Sequence, residues 1–335
     1  MPKKTGESLY IEKALFHVES AGINSMLNYV ESYLESRGVH NFKSRERLLV
    51  IMEACELVRL IVNKTVIPAE PKRRGNPGYG QLKAIRILVY ARLKGLQNDT
   101  RVYWHLKKHP FDAKKLGLQQ IPDRTTIGRW WKRYLKLLEE TFKKTADIIQ
   151  VLVPTTHLIA DSTPLIDLYD MEAKSGFTCR GHFRGFKLHA VVNQLGLPLK
   201  AIVTPGNRFD SIFLPKLIED LEAQYVLADA GYHSLQNIKA VRDMGAVPII
   251  AVNPRRKGKE GKVTNAEFFR GRRYPAEQFN SHSKHNILRG CWVRPKGLVK
   301  KSAMVMAGLV CMEANAIEAL LRGDSSLKCA SKYWD

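Results

Sequence analysis

The segment YVLADAGYHS, residues 225–234, decides the fold class, because an apolar run ends there in a single carboxylate. The run YVLA has the length and composition of a buried strand, and Asp229 follows it directly. Gly231 then marks a turn. A charge at the end of a buried strand either caps the turn or helix that follows, or it holds a ligand that needs a negative partner.

The segments around this strand predict α/β architecture. A helix is predicted to begin at Asp210, which stands in a good N-cap position, and another lies near Ser234–Met244. Antiparallel strands followed by alternating helices and strands indicate a mixed sheet with helices on its faces. The other predicted strands are THLIAD (156–161), FKLHAVVN (186–193), LPLKAIVTPGN (197–207) and VPIIAV (247–252).

Two aspartates, Asp161 and Asp229, both stand at the carboxyl ends of predicted strands. That edge of an open α/β sheet is where ligands bind, and neighbouring strand ends bring such residues together. Because two close carboxylates repel, the pair indicates a shared proton or cation. Oxygen ligands of this kind suit Mg²⁺ or Mn²⁺. Each aspartate taken alone also fits a turn or a cap.

A third acid is expected on a helix beside these strands, and Glu277 is the best candidate. We predict a helix that starts at Pro275 and places Glu277 and Lys284 on one face. A carboxylate for metal and a lysine for phosphate on one face fit a site that cuts phosphodiesters. Glu260 lies in a polar, glycine-punctuated run, and Glu267 is expected in a separate short helix.

The charge distribution predicts a polyanionic partner. The net charge of +22 is concentrated in residues 71–150, at +13, and in residues 231–335, at +11, whereas residues 151–230 carry −2. Nucleic acid is favoured over a membrane surface, since no amphipathic membrane helix stands out. No run of eighteen apolar residues and no signal-peptide stretch is visible, so we expect no membrane association and a cytoplasmic location.

The amino-terminal half is predicted to be helical. Residues 8–68 have a helical pattern, with Ser44 as a possible cap, and a linker follows at residues 71–80. Three helices are then expected: Gln81–Leu93, one capped by Asp99 or Thr100, and one capped by Asp123. A helix-turn-helix reader of DNA and an ordinary bundle with a basic face both fit this pattern. The basic residues of the third helix are Arg124, Arg129, Lys132 and Arg133.

Several segments, in this order, resemble the catalytic domain of DDE transposases of bacterial and archaeal insertion sequences. The resemblance runs from Leu158 to about Ala319 and implies a ribonuclease-H-like fold. In the Arg-x3-Glu-x6-Lys pattern, Arg270 stands where that family has tyrosine. The matching pieces are LIADSTPL, RGFKLHAVVNQLGLPL, VTPGNRFDS, VLADAGYHS, VPIIAVNPR, and the triplet Arg273, Glu277 and Lys284.

The resemblance implies a catalytic site of Asp161, Asp229 and Glu277 that holds two Mg²⁺ ions, for which Mn²⁺ can substitute. One ion would activate water or a DNA 3′-hydroxyl, and the other would stabilise the leaving 3′-oxygen. The same site would hydrolyse the end of the element and then join it to target DNA. No covalent enzyme intermediate is required.

Further residues acquire expected roles from the same resemblance. Lys284 and Arg273 would position the DNA backbone without reading its sequence. Tyr232 and His233 would line the site beside the scissile strand, although packing and capping fit these two residues equally well.

The resulting hypothesis is a transposase with three regions: 1–70, helical; 71–152, helical and DNA-binding; and 153–325, catalytic. Its partners would be double-stranded DNA, both terminal inverted repeats and target, and a second copy of the chain in a homodimeric synaptic complex. We expect it in the cytoplasm, at the nucleoid when bound to DNA. The alternatives are a catalytically inactive DNA-binding protein and a metal-independent hydrolase with a carboxylate pair.

Overall fold

The computed structural model describes residues 53–64, 66–67, 78–178, 181–252, 266–288 and 295–322. These residues belong to two compact units. Unit 1 is drawn from residues 1–154, 286–289 and 299–335, and unit 2 from residues 155–285 and 290–298. Most of the predicted helical region 8–68, with its cap Ser44, and most of the linker 71–80 lie outside the described residues.

The described helices lie mainly in unit 1. In chain order they are α1 (Ala54–Ile61), α2 (Gln81–Leu93), α3 (Asp99–Lys108), α4 (Pro110–Lys115), α5 (Arg124–Arg133), α6 (Leu135–Leu152), α7 (Leu214–Ile218), α8 (Leu235–Asp243), α9 (Ala266–His282) and α10 (Leu298–Arg322). A π-helical turn, Ser283–Ile287, extends α9, and short 3₁₀ turns span Asp210–Ile212 and Ala230–Tyr232.

The caps of α3 and α5 define the helix-turn-helix candidate in unit 1. Asp123 caps α5 as predicted, because its side chain accepts from the backbone N–H groups of Thr125 and Thr126. The cap of α3 is Asn98, one residue before the predicted position. The sequence prediction was therefore correct for α5 and off by one for α3.

A side-chain hydrogen bond joins α3 and α5 beside Gly128. The indole Nε1 of Trp131 donates to Asp99 Oδ1 over 2.8 Å. A Cβ atom added at Gly128 would lie only 2.7 Å from Asp99 Oδ2. The two helices can approach this closely because Gly128 has no side chain.

Helix α10 belongs to unit 1 rather than to the unit with the sheet. The thiol of Cys311 donates to the carbonyl of Val89, and the hydroxyl of Thr145 donates to Glu313. By length and composition residues 298–321 could cross a bilayer, but the stretch is 94% buried here. Such burial is typical of a core helix.

Unit 2 is built on a mixed sheet. The strands are β1 (His157–Ile166), β2 (Lys174–Thr178), β3 (Gly181–Val192), β4 (Pro198–Pro205), β5 (Tyr225–Ala228) and β6 (Val247–Ile250). The order is β4–β3–β1–β5–β6, and β2 pairs with the first residues of β3. Strand β3 is antiparallel to β1 and β4, whereas β1, β5 and β6 run parallel. Helix α9 packs against β1, β3 and β5. The ribonuclease-H-like α/β prediction is confirmed.

Three elements differ from the prediction. Strand β1 continues past Asp161 to Ile166, so that aspartate lies within the strand. The helix expected from Asp210 is a 3₁₀ turn followed by the short α7. Helix α9 begins at Ala266 and contains Pro275, so Glu267 and Glu277 belong to one helix. Glu277 therefore lies inside α9 and not in its first turn.

Candidate active site

Strand register places Asp161 and Asp229 side by side. Parallel strands β1 and β5 pair Ala160 with Ala228. Asp161 directly follows Ala160 and Asp229 directly follows Ala228. Neighbouring strands lie about 4.8 Å apart. The two acids are therefore adjacent at the point where β5 ends and β1 continues.

Asp161 is held from two directions. Its Oδ1 accepts from the backbone N–H of Ser162 over 2.9 Å, and its Oδ2 accepts from Asn280 Nδ2 on α9, also over 2.9 Å. Asn280 is buried. The amide of Asn280 therefore fixes the orientation of this carboxylate from the helix that packs on the sheet.

Asp229 caps the turn that follows β5. Its Oδ1 accepts from the backbone N–H of Gly231 over 2.9 Å, which makes it the N-cap of the 3₁₀ turn. The cap interpretation considered from the sequence is correct. The cap also holds the carboxylate beside Asp161, so capping and ligand binding are compatible at this residue.

Asp210 is a site residue that the sequence analysis assigned only to a helix cap. Lys187 Nζ donates to its Oδ1 over 2.9 Å, and His189 Nδ1 lies 3.5 Å from the same oxygen. A Cβ atom at Gly231 would lie 3.0 Å from Asp229 Oδ1 and 3.7 Å from Asp210 Oδ2. A third carboxylate thus reaches the turn that Asp229 caps. The available signal was Lys187, because a lysine inside a buried strand needs an acidic partner.

Tyr232 lies beneath this group of acids. It is completely buried. Burial, and then the charges of Asp210, Asp161 and Asp229, raise its pKa well above the usual 10. The phenol therefore stays protonated. Its burial favours packing, the alternative considered from the sequence, over a contact with DNA. His233 is also buried, which favours packing for it as well.

His189 is a buried residue of β3. Its Nε2 lies 2.9 Å from the hydroxyl of Thr204, and its ring packs against Phe213 with centroids 4.5 Å apart. Burial lowers its pKa to about 4, although the charge of Asp210 raises it. The imidazole is therefore neutral near pH 7.

The predicted third acid, Glu277, is exposed on α9, three residues before Asn280. Residues three apart are neighbours on a helix surface, so Glu277 lies within one turn of the contact to Asp161. Lys284 lies in the π-helical turn, so the seven-residue spacing no longer fixes a common face with Glu277. The side chain of Arg273 lies outside the described residues.

The acidic pair suits a hard divalent cation only in part. Two adjacent carboxylates, completed by water and phosphate oxygens, are an ordinary Mg²⁺ environment. In the part of the chain that the structure describes, however, no three His, Cys, Asp or Glu side chains group closely enough to hold a metal. Asp161 and Asp229 are together, whereas Glu277 is not grouped with them.

The basic residues predicted to contact DNA lie on the surface of α5. The exposed members are Arg124, Arg129, Lys132 and Arg133. Arg129 Nε also donates to the carbonyl of Thr125, which keeps its guanidinium along the first turns of the helix. Trp130 and Trp131, in the same helix, are both buried.

The fold and the acid pair define a ribonuclease-H-like domain with an acidic site where β5 ends. Residues 153–307 match the family described as "Transposase DDE domain". The matched segment holds both aspartates, and the predicted resemblance to DDE transposases is confirmed over these residues.

A similar solved structure is the cryo-EM structure of a piggyBac transposase synaptic complex with hairpin DNA, with a TM-score of 0.42 and 9% identity. That match covers 98% of this chain and 78% of the other. Comparison with curated proteins gives no match.

Proposed function

We propose that the chain is a transposase that binds the ends of its insertion sequence and carries out metal-dependent DNA cleavage and strand transfer. The observation that supports this most directly is the adjacent register of Asp161 and Asp229 within the DDE domain. Adjacent carboxylates on neighbouring strands fit a cation site, and a polyanion matches the net charge of +22.

The roles of the residues follow from their positions. Asp161 and Asp229 would hold the cation, with Glu277 as the third acid, and Asn280 orients Asp161. Two bound Mg²⁺ ions, or Mn²⁺ in their place, would activate water or a DNA 3′-hydroxyl and stabilise the leaving 3′-oxygen.

 The protein itself holds the two carboxylates beside each other: Asp161 is fixed within β1, and Asp229 is fixed as the cap of the turn after β5.

DNA would be held by the basic surfaces. Exposed Arg124, Arg129 and Lys132 on α5 fit a recognition helix that reads the terminal inverted repeat, since residues of such a helix reach base edges in the major groove. Lys284 and Arg273 would position the backbone of the cleaved strand. Synapsis of two element ends with target DNA would use a homodimer, located in the cytoplasm and at the nucleoid when DNA is bound.

The test is to compare Asp161→Asn and Asp229→Asn with the unaltered chain on a duplex that carries the element end. We expect Mg²⁺-dependent cleavage to fall more than about 100-fold, because each change removes a proposed ligand. Binding in EDTA should be unchanged or slightly tighter, since a negative charge is lost. Glu222→Gln, a change at an exposed acid of unit 2, serves as the matched control and should cleave normally. Cleavage retained in either aspartate variant would exclude this site.

The third acid needs its own comparison. Glu277→Gln should remove cleavage as completely as the aspartate changes, whereas Glu260→Gln and Glu267→Gln should stay active. Glu277 is supported by its place one turn before Asn280, the residue that contacts Asp161. An inactive Glu267→Gln beside an active Glu277→Gln would move the site to the earlier part of α9.

A DNA-binding protein without catalysis is the second candidate. It is favoured by one observation: no three metal-ligating side chains are grouped among the described residues. Such a protein would bind element ends and show no cleavage with Mg²⁺ or Mn²⁺. The third alternative, a metal-independent hydrolase, would cleave equally well in EDTA.

A further inference from the structure

The loop between β4 and α7, residues 206–213, is held by a buried lysine. Lys187 Nζ donates to the carbonyl of Arg208 over 3.2 Å and to Asp210 Oδ1 over 2.9 Å. The Lys187 side chain is 9% exposed, so this ion pair is shielded from solvent. Because a buried charge is costly without its partner, the loop is held firmly against β3.

A second contact fixes the other end of the loop. The side-chain amide of Asn237, on α8, donates to the carbonyl of Ser211 over 2.9 Å and to the carbonyl of Tyr232 over 2.7 Å. Asn237 is buried. One amide therefore joins the loop to the turn that follows β5, which is the turn that Asp229 caps.

The pinned loop exposes an aromatic ring. Phe209 is 76% exposed, and its neighbour Arg208 is exposed as well. Two more apolar side chains are exposed, Ile212 in the loop and Leu235 at the start of α8. With its neighbouring residues held at both ends of the loop, Phe209 is presented to solvent by a rigid support, as in a binding surface.

This surface adjoins the acidic site. Asp210, the residue after Phe209, has its Oδ2 within 4 Å of the same Gly231 position that Asp229 Oδ1 approaches. A DNA strand with its phosphate at the aspartates would pass the loop. The flat apolar partners on such a strand are its bases, which are open for stacking only where they are unpaired.

We propose that Phe209 stacks on an unpaired base of the DNA strand held at the acidic site, while Arg208 contacts the backbone of that strand. This inference rests on the proposed function and adds a binding site to it. Aromatic stacking tolerates any base, because every base has a π-face, and arginine beside the ring adds attraction to phosphate.

The test measures binding of the full chain in EDTA to a labelled single strand and to the same strand in a duplex. Phe209→Ala should weaken single-strand binding about five- to 100-fold and leave duplex binding unchanged. Phe209→Tyr should retain single-strand binding because it keeps a ring, whereas Phe209→Leu should lose it. Arg208→Ala should reduce the log–log salt slope of single-strand binding by about 0.7.

Phe177→Ala is the matched control, since this exposed phenylalanine already packs edge-on against His182. It should bind both DNAs normally. Equal loss in Phe177→Ala, or equal binding by the leucine and tyrosine variants of Phe209, would overturn the stacking site. So would unchanged DNA binding by Phe209→Ala together with a change in its sedimenting mass, because the patch would then contact a second copy.

The same assay separates this inference from the proposed function. A chain that binds no DNA in any form would contradict both. A chain that binds DNA and cleaves it with Mg²⁺, but is insensitive to every change at Phe209, would contradict the stacking site alone.

Discussion

Replacing Gly128 by alanine should disturb the contact between α3 and α5. The new methyl carbon would lie 2.7 Å from Asp99 Oδ2, well inside ordinary van der Waals contact. The carboxylate cannot turn away freely, because its Oδ1 accepts from Trp131 Nε1 over 2.8 Å. The alanine methyl group and the indole N–H therefore require different positions of the Asp99 carboxylate.

The size and sign of the effect follow from two opposing contributions. Losing a hydrogen bond to a charged acceptor costs about 1.5–3 kcal/mol. Alanine in place of glycine inside a helix stabilises it by about 1 kcal/mol. We therefore expect Gly128→Ala to destabilise the chain by about 0.5–2 kcal/mol. In a chain that already carries Asp99→Ala there is no carboxylate to displace, so the same change should stabilise by about 1 kcal/mol.

The assay is urea unfolding of the full chain, with hydrogen exchange of the backbone amides of α3 and α5 as a local measure. Duplex binding should weaken in Gly128→Ala, because α5 carries the proposed recognition surface. Stabilisation by Gly128→Ala in both backgrounds would refute the reasoning, since it would show that the methyl group meets no resistance from Asp99.

Two predictions concern buried groups that titrate. His189 has a pKa of about 4 when folded and 6.5 in its reference state, so its contribution to stability is complete above pH 6.5 and is lost as the pH falls toward 4, by about 3 kcal/mol. His189→Gln should remove that part of the slope, as urea midpoints at pH 4.5 and 7.5 would show; an unchanged slope would contradict it. Glu313 is buried and its pKa is raised well above 4.5, chiefly by burial, so its stabilising contribution is present at low pH and lost as the pH rises. Glu313→Gln should therefore have a higher urea midpoint than the unaltered chain at pH 8, with a free energy of unfolding larger by at least about 1 kcal/mol. The difference should disappear near pH 4, and a lower midpoint at pH 8 would contradict this prediction.

The sequence predicted the acid pair because the signal is local. Each aspartate follows an apolar run, and the sheet rule brings neighbouring strand ends together. The continuation of β1 past Asp161 was missed because Pro164 is typical of a strand end. Beyond Ala160, β1 is paired on one side only, and an edge of this kind tolerates proline.

Tertiary contacts decided the remaining differences. Asp210 has the sequence context of a helix cap, but the buried Lys187 binds it instead, and the helix behind it is short. Pro275 predicts a helix start, yet α9 runs through it while packing on three strands. Local preference was outweighed at both positions by contacts between residues distant in sequence, which one sequence does not display.

The pairing of Ala160 with Ala228 also determines which changes in chain length the site can accept. Inserting one residue between His157 and Ala160 would turn Asp161 toward the opposite face of the sheet, because side chains alternate along a strand. Insertions in the surface connections between β1 and β5 would leave the pair in place. Related chains could therefore differ widely in the length of sequence that separates the two acids, while the short strands that precede each acid keep their length.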